Sequence, residues 1–144
     1  MRNITFEKCC ALPSGLQQLV LGDNFNQCME DVALPKDLKR LSFGNGFNQH
    51  MGKIALPAGL QQLSLGNSFN QQLEDVVFPS GLLTLVVGHG FNKSLEHVAL
   101  PSGLQALVIG DSFDHYMDTV VLPRTLEIMS FGRYGPCRRF VIWN

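Results

Sequence analysis

The chain reads PAGLQQLSLGNSFNQQLEDVVF from residue 57 to residue 78, and PSGLLTLVVGHGFNKSLEHVAL from residue 79 to residue 100. The two stretches have the same length, and proline, leucine, glycine and phenylalanine recur at the same places in each. The same spacing continues in both directions along the chain. Self-similarity at such a period is typical of a solenoid, in which each unit forms one coil of a stack. Each unit opens on proline, at Pro13, Pro35, Pro57, Pro79, Pro101 and Pro123.

One unit reads P-x-x-L-x-x-L-x-(L/F/V/I)-G-x-x-F-N-x-x-(M/L)-x-x-V-x-L. The second leucine and the apolar residue two places on face the same way in a short strand, because strand side chains alternate between faces. The remaining residues are too few for two turns and a regular helix, so we expect an extended or 3₁₀ return arm. Proline at the corner fixes the backbone and donates no hydrogen bond. Glycine after the strand indicates either a close approach or an unusual φ.

The motif F-N-x-x-(M/L), together with L-P-x-x-L-x-x-L-x-x-G, resembles the FNIP repeat family, a branch of the leucine-rich-repeat clan. The match runs over residues 13–122 and the first half of the last unit. The resemblance implies a curved parallel solenoid that serves interaction rather than chemistry. The predicted fold is therefore a leucine-rich-repeat-like solenoid, mainly β. It has one short parallel strand per 22-residue coil, extended or 3₁₀ return arms, and little or no regular α-helix.

The chain is predicted to form a single solenoid over residues 1–144. Residues 1–12 are expected to act as an N-terminal cap or partial repeat, and residues 123–144 as a final half-repeat with a C-terminal cap. In that cap we expect the last slice of the core to be covered by Phe140, Ile142 and Trp143. In the alternative, the nearby arginines form a docking patch for an anionic partner. The five complete units span residues 13–34, 35–56, 57–78, 79–100 and 101–122.

A polar residue follows each repeated phenylalanine. An unpaired amide beside a buried ring is costly, so we expect these side chains to satisfy backbone groups of their own coil and the next. This predicts a structural asparagine ladder rather than a ligand site. Aspartate replaces asparagine in the fifth unit and lacks the amide donors, which makes that step a weak point or a special site. The ladder residues are Asn26, Asn48, Asn70, Asn92 and Asp114.

The strand positions between the core residues change along the chain from polar to apolar. In the first three units they are mostly Gln, Lys, Arg and Ser; in the later units apolar side chains replace them. A contiguous exposed apolar patch usually marks an interface, here with a partner or a second copy of the chain. The candidate interaction face consists of Leu83, Val86, Ala106, Val108 and Ile128.

Composition and charge exclude several classes of protein. Hydrophobic residues make up 45% of the chain and charged residues 16%, so a real core is possible. A formal charge of −1 argues against nucleic-acid binding. No apolar run is long enough to span a membrane and no signal-peptide pattern opens the chain, so we expect a cytoplasmic protein whose four cysteines are free thiols. Neither a catalytic constellation nor a cofactor motif is present, which predicts a non-enzymatic protein without cofactors.

One acidic cluster favours a different interpretation. Asp111, Asp114, His115 and Asp118 share the fifth unit, and hard cations prefer several carboxylate oxygens. No calcium-loop spacing is present, however, so a solvated acidic rim is the preferred interpretation and no metal site is predicted. The predicted function is therefore a scaffold that binds a protein partner through its exposed sheet face. The alternatives are a self-associating repeat unit and, less favoured, a metal-binding protein.

Overall fold

The computed structural model describes residues 11–132, and these residues form one parallel β-solenoid. Six strands pair in chain order, each parallel to the next, in a single sheet. One strand per coil is the architecture that the repeat predicts, and the predicted fold class is confirmed. The strands are β1 (Gln18–Val20), β2 (Arg40–Ser42), β3 (Gln62–Leu65), β4 (Thr84–Val87), β5 (Ala106–Ile109) and β6 (Ile128–Phe131).

The strand register equals the sequence period. Leu41 pairs with Leu19 on one side and Leu63 on the other, and the same 22-residue step holds across all six strands. Along each strand the side chains alternate: in β3, Leu63 and Leu65 are buried while Gln62 is exposed. This alternation follows from the pleat of an extended chain. The leucine columns therefore face the core, and the residues between them face outward.

Three tight turns bend each coil back on itself. In the first unit the N–H of Leu16 donates to the carbonyl of Pro13, and that of Phe25 to the carbonyl of Gly22. A third turn joins Val32 to Met29, and equivalents recur in later units. Turns and one strand account for most of each coil, and residues 11–132 contain neither an α-helix nor a 3₁₀ helix. The return arms are thus extended segments between turns.

A column of phenylalanine rings fills the centre of the solenoid. Phe47, Phe69, Phe91 and Phe113 are almost fully buried. Each ring stacks on the ring of the next coil with centroids 6.1 Å apart, and Phe25 stacks on Phe47 at the same distance. Offset stacking at such a distance is favourable for aromatic pairs. No single coil encloses its own core, so each gains stability from its neighbours.

From β2 onward, the glycine that follows each strand lies where its backbone approaches that of the preceding coil most closely. A methyl group placed on Gly88 would come within 2.6 Å of the Gly66 carbonyl carbon, and one on Gly66 would overlap the carbonyl group of Gly44. No glycine in residues 11–132 has a positive φ. Of the two explanations that the sequence allows, close approach is therefore the correct one.

Most of the two predicted caps lies outside the described residues. This includes nearly all of residues 1–12 and the arginine-rich segment from Arg133 onward. The division of the chain into caps and five units remains a prediction.

Candidate interaction face

Two columns of outward side chains cover the open side of the sheet. They alternate with the inward-facing residues of each strand, which are buried in β1–β5 and partly buried in β6. We call this surface the sheet face. It consists of Gln18, Val20, Arg40, Ser42, Gln62, Ser64, Thr84, Val86, Ala106, Val108, Ile128 and Ser130.

A shallow hollow of about 300 Å³ lies over β1–β4 on the sheet face. The outward side chains of these four strands line it, from Gln18 and Val20 at one end to Thr84 and Val86 at the other. Its centre is polar, because Ser42 and Ser64 present hydroxyl groups there. The hollow therefore combines hydrogen-bonding groups at its centre with an apolar edge.

Four of the five predicted interface residues lie on the sheet face. Val86, Ala106 and Val108 are half-buried, and Ile128 is 57% exposed. Val86 and Val108 are direct neighbours across β4 and β5. Leu83 differs, because it precedes the first residue of β4 and is therefore outside the alternation that turns Val86 outward. Whether these residues bind a partner remains a prediction.

One apolar residue of the sheet face was not among the predicted interface residues. Val20 is 58% exposed at the end of β1, in the half of the sheet that the sequence indicates is polar. The sequence predicts this exposure through the alternation of strand side chains, because Leu19 is buried and the next residue must face outward. Val20 gives the hollow a second apolar edge.

Arg40 is the one charged residue of the sheet face. It is exposed, and the register places it between Gln18 and Gln62. Its Nη1 donates a long hydrogen bond of 3.5 Å to Oε1 of Gln18. Within residues 11–132 it forms no ion pair, so most of its donors remain available to a ligand.

The asparagine column forms hydrogen bonds between successive coils. Oδ1 of Asn26 accepts from the backbone N–H of Asn48, Oδ1 of Asn48 from Asn70, and Oδ1 of Asn70 from Asn92, each at 2.9 Å. Asn92 continues the series, since its Oδ1 accepts from the N–H of Asp114 at 3.0 Å. The prediction that this column serves structure rather than ligand binding still requires a direct test.

Two residues of the acidic cluster in the fifth unit contact the preceding coil. Oδ2 of Asp111 lies 3.0 Å from Nδ1 of His89 in the preceding coil, and Nε2 of His115 lies 3.3 Å from the carbonyl oxygen of Asn92. No group of three or more His, Cys, Asp or Glu side chains in this part of the chain could hold a metal ion. The same residues include no helix long and apolar enough to cross a membrane.

The fold, the repeat and the open sheet face together define a leucine-rich-repeat-like β-solenoid. The family model of the FNIP repeat matches residues 3–46, 47–88 and 91–134, and the chain belongs to the FNIP repeat family. A solved structure, the crystal structure of CroV588, a novel circular LRR protein, is 38% identical in sequence with a TM-score of 0.80. The match covers 86% of this chain and 18% of that one, so this chain spans about a fifth of the length of that protein. No curated protein matches.

Repeat proteins of this architecture are typically non-enzymatic, and the fold suggests an interaction scaffold.

Proposed function

We propose that the chain is a non-enzymatic scaffold that binds another protein through its sheet face. The observation that supports this most is the regular array of outward side chains, which the core does not need. The buried columns keep the same chemistry from coil to coil. The outward side chains change along the sheet, from polar residues such as Arg40 and Gln62 in β2 and β3 to the apolar Ala106 and Val108 in β5. Variable side chains on a rigid frame are the usual means by which repeat proteins recognise their partners.

The apolar side chains of β4–β6 on the sheet face can contribute part of the binding free energy of a complex of moderate affinity. Complete burial of a fully exposed valine or isoleucine is worth about 1.5–3 kcal/mol. Val86 and Val108 are already half-buried in the free chain, so each can contribute only part of that amount. A micromolar complex needs about 8 kcal/mol. Apolar contacts at β4–β6 must therefore act together with polar contacts in the hollow.

The test replaces Val86 and Val108 together by serine. Serine occupies the same column at Ser42 and Ser64, so the solenoid accepts it at this position. We expect the double variant to keep its circular dichroism spectrum and to bind its partner at least about tenfold more weakly, because two apolar contacts are lost. Partners are captured from a lysate by the wild-type chain, and the affinity of each purified partner is then measured for every variant.

The matched control is the double change Val77→Ser and Val121→Ser. These valines are 80% and 82% exposed on the return arms, away from the sheet. The control should bind as the wild type does. Equal binding by both double variants would place the binding surface elsewhere. Sedimentation velocity at several concentrations identifies the alternative: a wild-type dimer that dissociates when Val86 and Val108 are replaced would make the partner a second copy of the chain.

A further inference from the structure

The hollow on the sheet face contains a guanidinium group that lacks an anionic partner. Arg40 lines the hollow, and the one hydrogen bond of its guanidinium within residues 11–132 is the 3.5 Å contact with Gln18. A guanidinium has five N–H donors in a planar fork that matches a carboxylate. Amide groups of Gln18 and Gln62 flank it on the two neighbouring strands. The arrangement offers several donors to one negatively charged group.

The charges around Arg40 are distributed unevenly between the two sides of the solenoid. Residues 36–40 read KDLKR, with three cations and one carboxylate; the equivalent residues 14–18, 58–62, 80–84 and 102–106 include no charged side chain, and residues 124–128 carry one cation and one carboxylate. Carboxylates of the return arms lie in another column, which includes Glu30, Glu74 and Glu96. Local positive charge therefore lies at the sheet and negative charge at the return arms, although the net charge of the chain is −1. Such a separation orients an acidic partner toward the sheet.

We propose that the hollow binds an extended acidic segment of a partner protein. One carboxylate of that segment pairs with the guanidinium of Arg40, and an apolar side chain of the segment packs on Val86 at the edge of the hollow and on Val108 of the next strand. These residues lie two and three strands away from Arg40, or about 10–15 Å at ordinary strand spacing. An extended segment crossing the strands spans that distance with a few residues. The inference rests on the proposed function and adds the chemistry of the partner.

A protein segment fits the hollow better than a nucleic acid does. Nucleic-acid binding relies on neutralising several phosphates along a backbone, which needs a row of cations. The sheet face has Arg40 as its one cation; Thr84 and Ala106 continue the column of Arg40 in β4 and β5, and Val86 and Val108 occupy the other outward column. One carboxylate beside apolar side chains matches this composition.

The test uses a displayed library of random linear peptides, selected on the wild-type chain. We expect the selected peptides to be enriched in Asp or Glu at one position and in an apolar residue at a fixed distance from it. Arg40→Gln should weaken a selected peptide about tenfold, the usual effect of losing a charge-assisted hydrogen bond. Glutamine fits this column, because Gln18 and Gln62 occupy it in β1 and β3. Lys53→Gln, which removes a cation paired with Glu30 on the return arm, is the control and should bind as the wild type does.

A double-mutant cycle then assigns the contact. Changing the acidic residue of the peptide to its amide should weaken binding to the wild type and cause no further loss with Arg40→Gln.

The proposal is overturned if the library gives no binder, if binders lack the acidic residue, or if the amide change costs the same with both proteins. Single-stranded DNA that binds at physiological salt and depends on Arg40 would also overturn it. If Val86→Ser with Val108→Ser weakens the peptides and Arg40→Gln does not, the acidic partner is wrong but the proposed face stands. If neither change weakens them, both proposals fail.

Discussion

Phe69 provides the most direct test of the stacked-coil core. Its side chain is fully buried in the third unit. It stacks on Phe47 with an interplanar angle of 7° and on Phe91 with an angle of 13°, at 6.1 Å from each. Replacing it by alanine removes a ring from the middle of the column. The coils on both sides lose a contact, and rigid turns and strand pairing prevent the neighbouring rings from closing the gap.

The expected cost of Phe69→Ala is about 3–5 kcal/mol, the usual range for emptying a buried phenylalanine site. Two aromatic pairs are lost, each worth about 0.5–1.5 kcal/mol beyond the area that they bury, which favours the upper part of that range. A domain of this size is stable by about 7–20 kcal/mol. The variant should therefore fold but lose a substantial part of its stability.

The measurement is urea unfolding followed by circular dichroism. With a urea m-value of about 2 kcal/mol/M, the midpoint should fall by about 2 M. The m-value should also fall if the two halves of the solenoid unfold separately, because each coil is coupled only to its neighbours. Val77→Ala is the control in the same unit; Val77 is 80% exposed, and its loss should change stability by less than about 0.5 kcal/mol. An unchanged midpoint for Phe69→Ala would refute the stacked core.

Two further predictions concern the contacts between coils. Asn70→Ala removes the acceptor of the Asn92 N–H and should cost about 0.5–1.5 kcal/mol, because this hydrogen bond is solvent-exposed; amide exchange at Asn92 should become faster and ligand affinity should not change. Asn70→Asp keeps an acceptor oxygen and should lose less stability. A fully stable alanine variant that fails to bind a ligand would instead assign the asparagine column to ligand binding. Gly66→Ala forces a methyl group against the carbonyl of Gly44 and should lower stability by more than about 2 kcal/mol in a thermal melt. Gly59→Ala meets the flexible end of Lys39 at 3.0 Å and the Lys36 carbonyl oxygen at an ordinary contact distance of 3.6 Å; equal melting of the two alanine variants would contradict the close approach.

The sequence predicts the fold well because the register of a solenoid equals its repeat period. Once Leu41, Leu63 and Leu85 recur at that period, stacking places them in one column, and no long-range pairing has to be guessed. The burial of Phe69 follows in the same way. Alternation within each short strand then identifies the outward residues, including Val86 and Val108.

Other features depend on distances that a residue pattern does not contain. The pattern indicates that Asn70 needs a partner, but not that its Oδ1 reaches the N–H of the next asparagine. It leaves two explanations for Gly66, and only the spacing of the backbones decides between them. The pattern groups Leu83 with the apolar residues of the candidate face, but it does not contain the start of β4, which lies one residue later. The constant positions of the repeat shape the coil and its core, so only the variable positions, such as Arg40, carry information about a partner.

The near-identical steps between coils make the length of this fold adjustable in whole units. Ring spacing is 6.1 Å at every step from Phe25 to Phe113, and each hydrogen bond of the asparagine column measures either 2.9 Å or 3.0 Å. Any coil therefore presents to its successor the surface that every other coil presents. Duplication or loss of one whole unit in a gene rejoins matching surfaces, whereas a shift of a single position misaligns every column at once. Such a chain can change the size of its sheet face in evolution without redesigning its core.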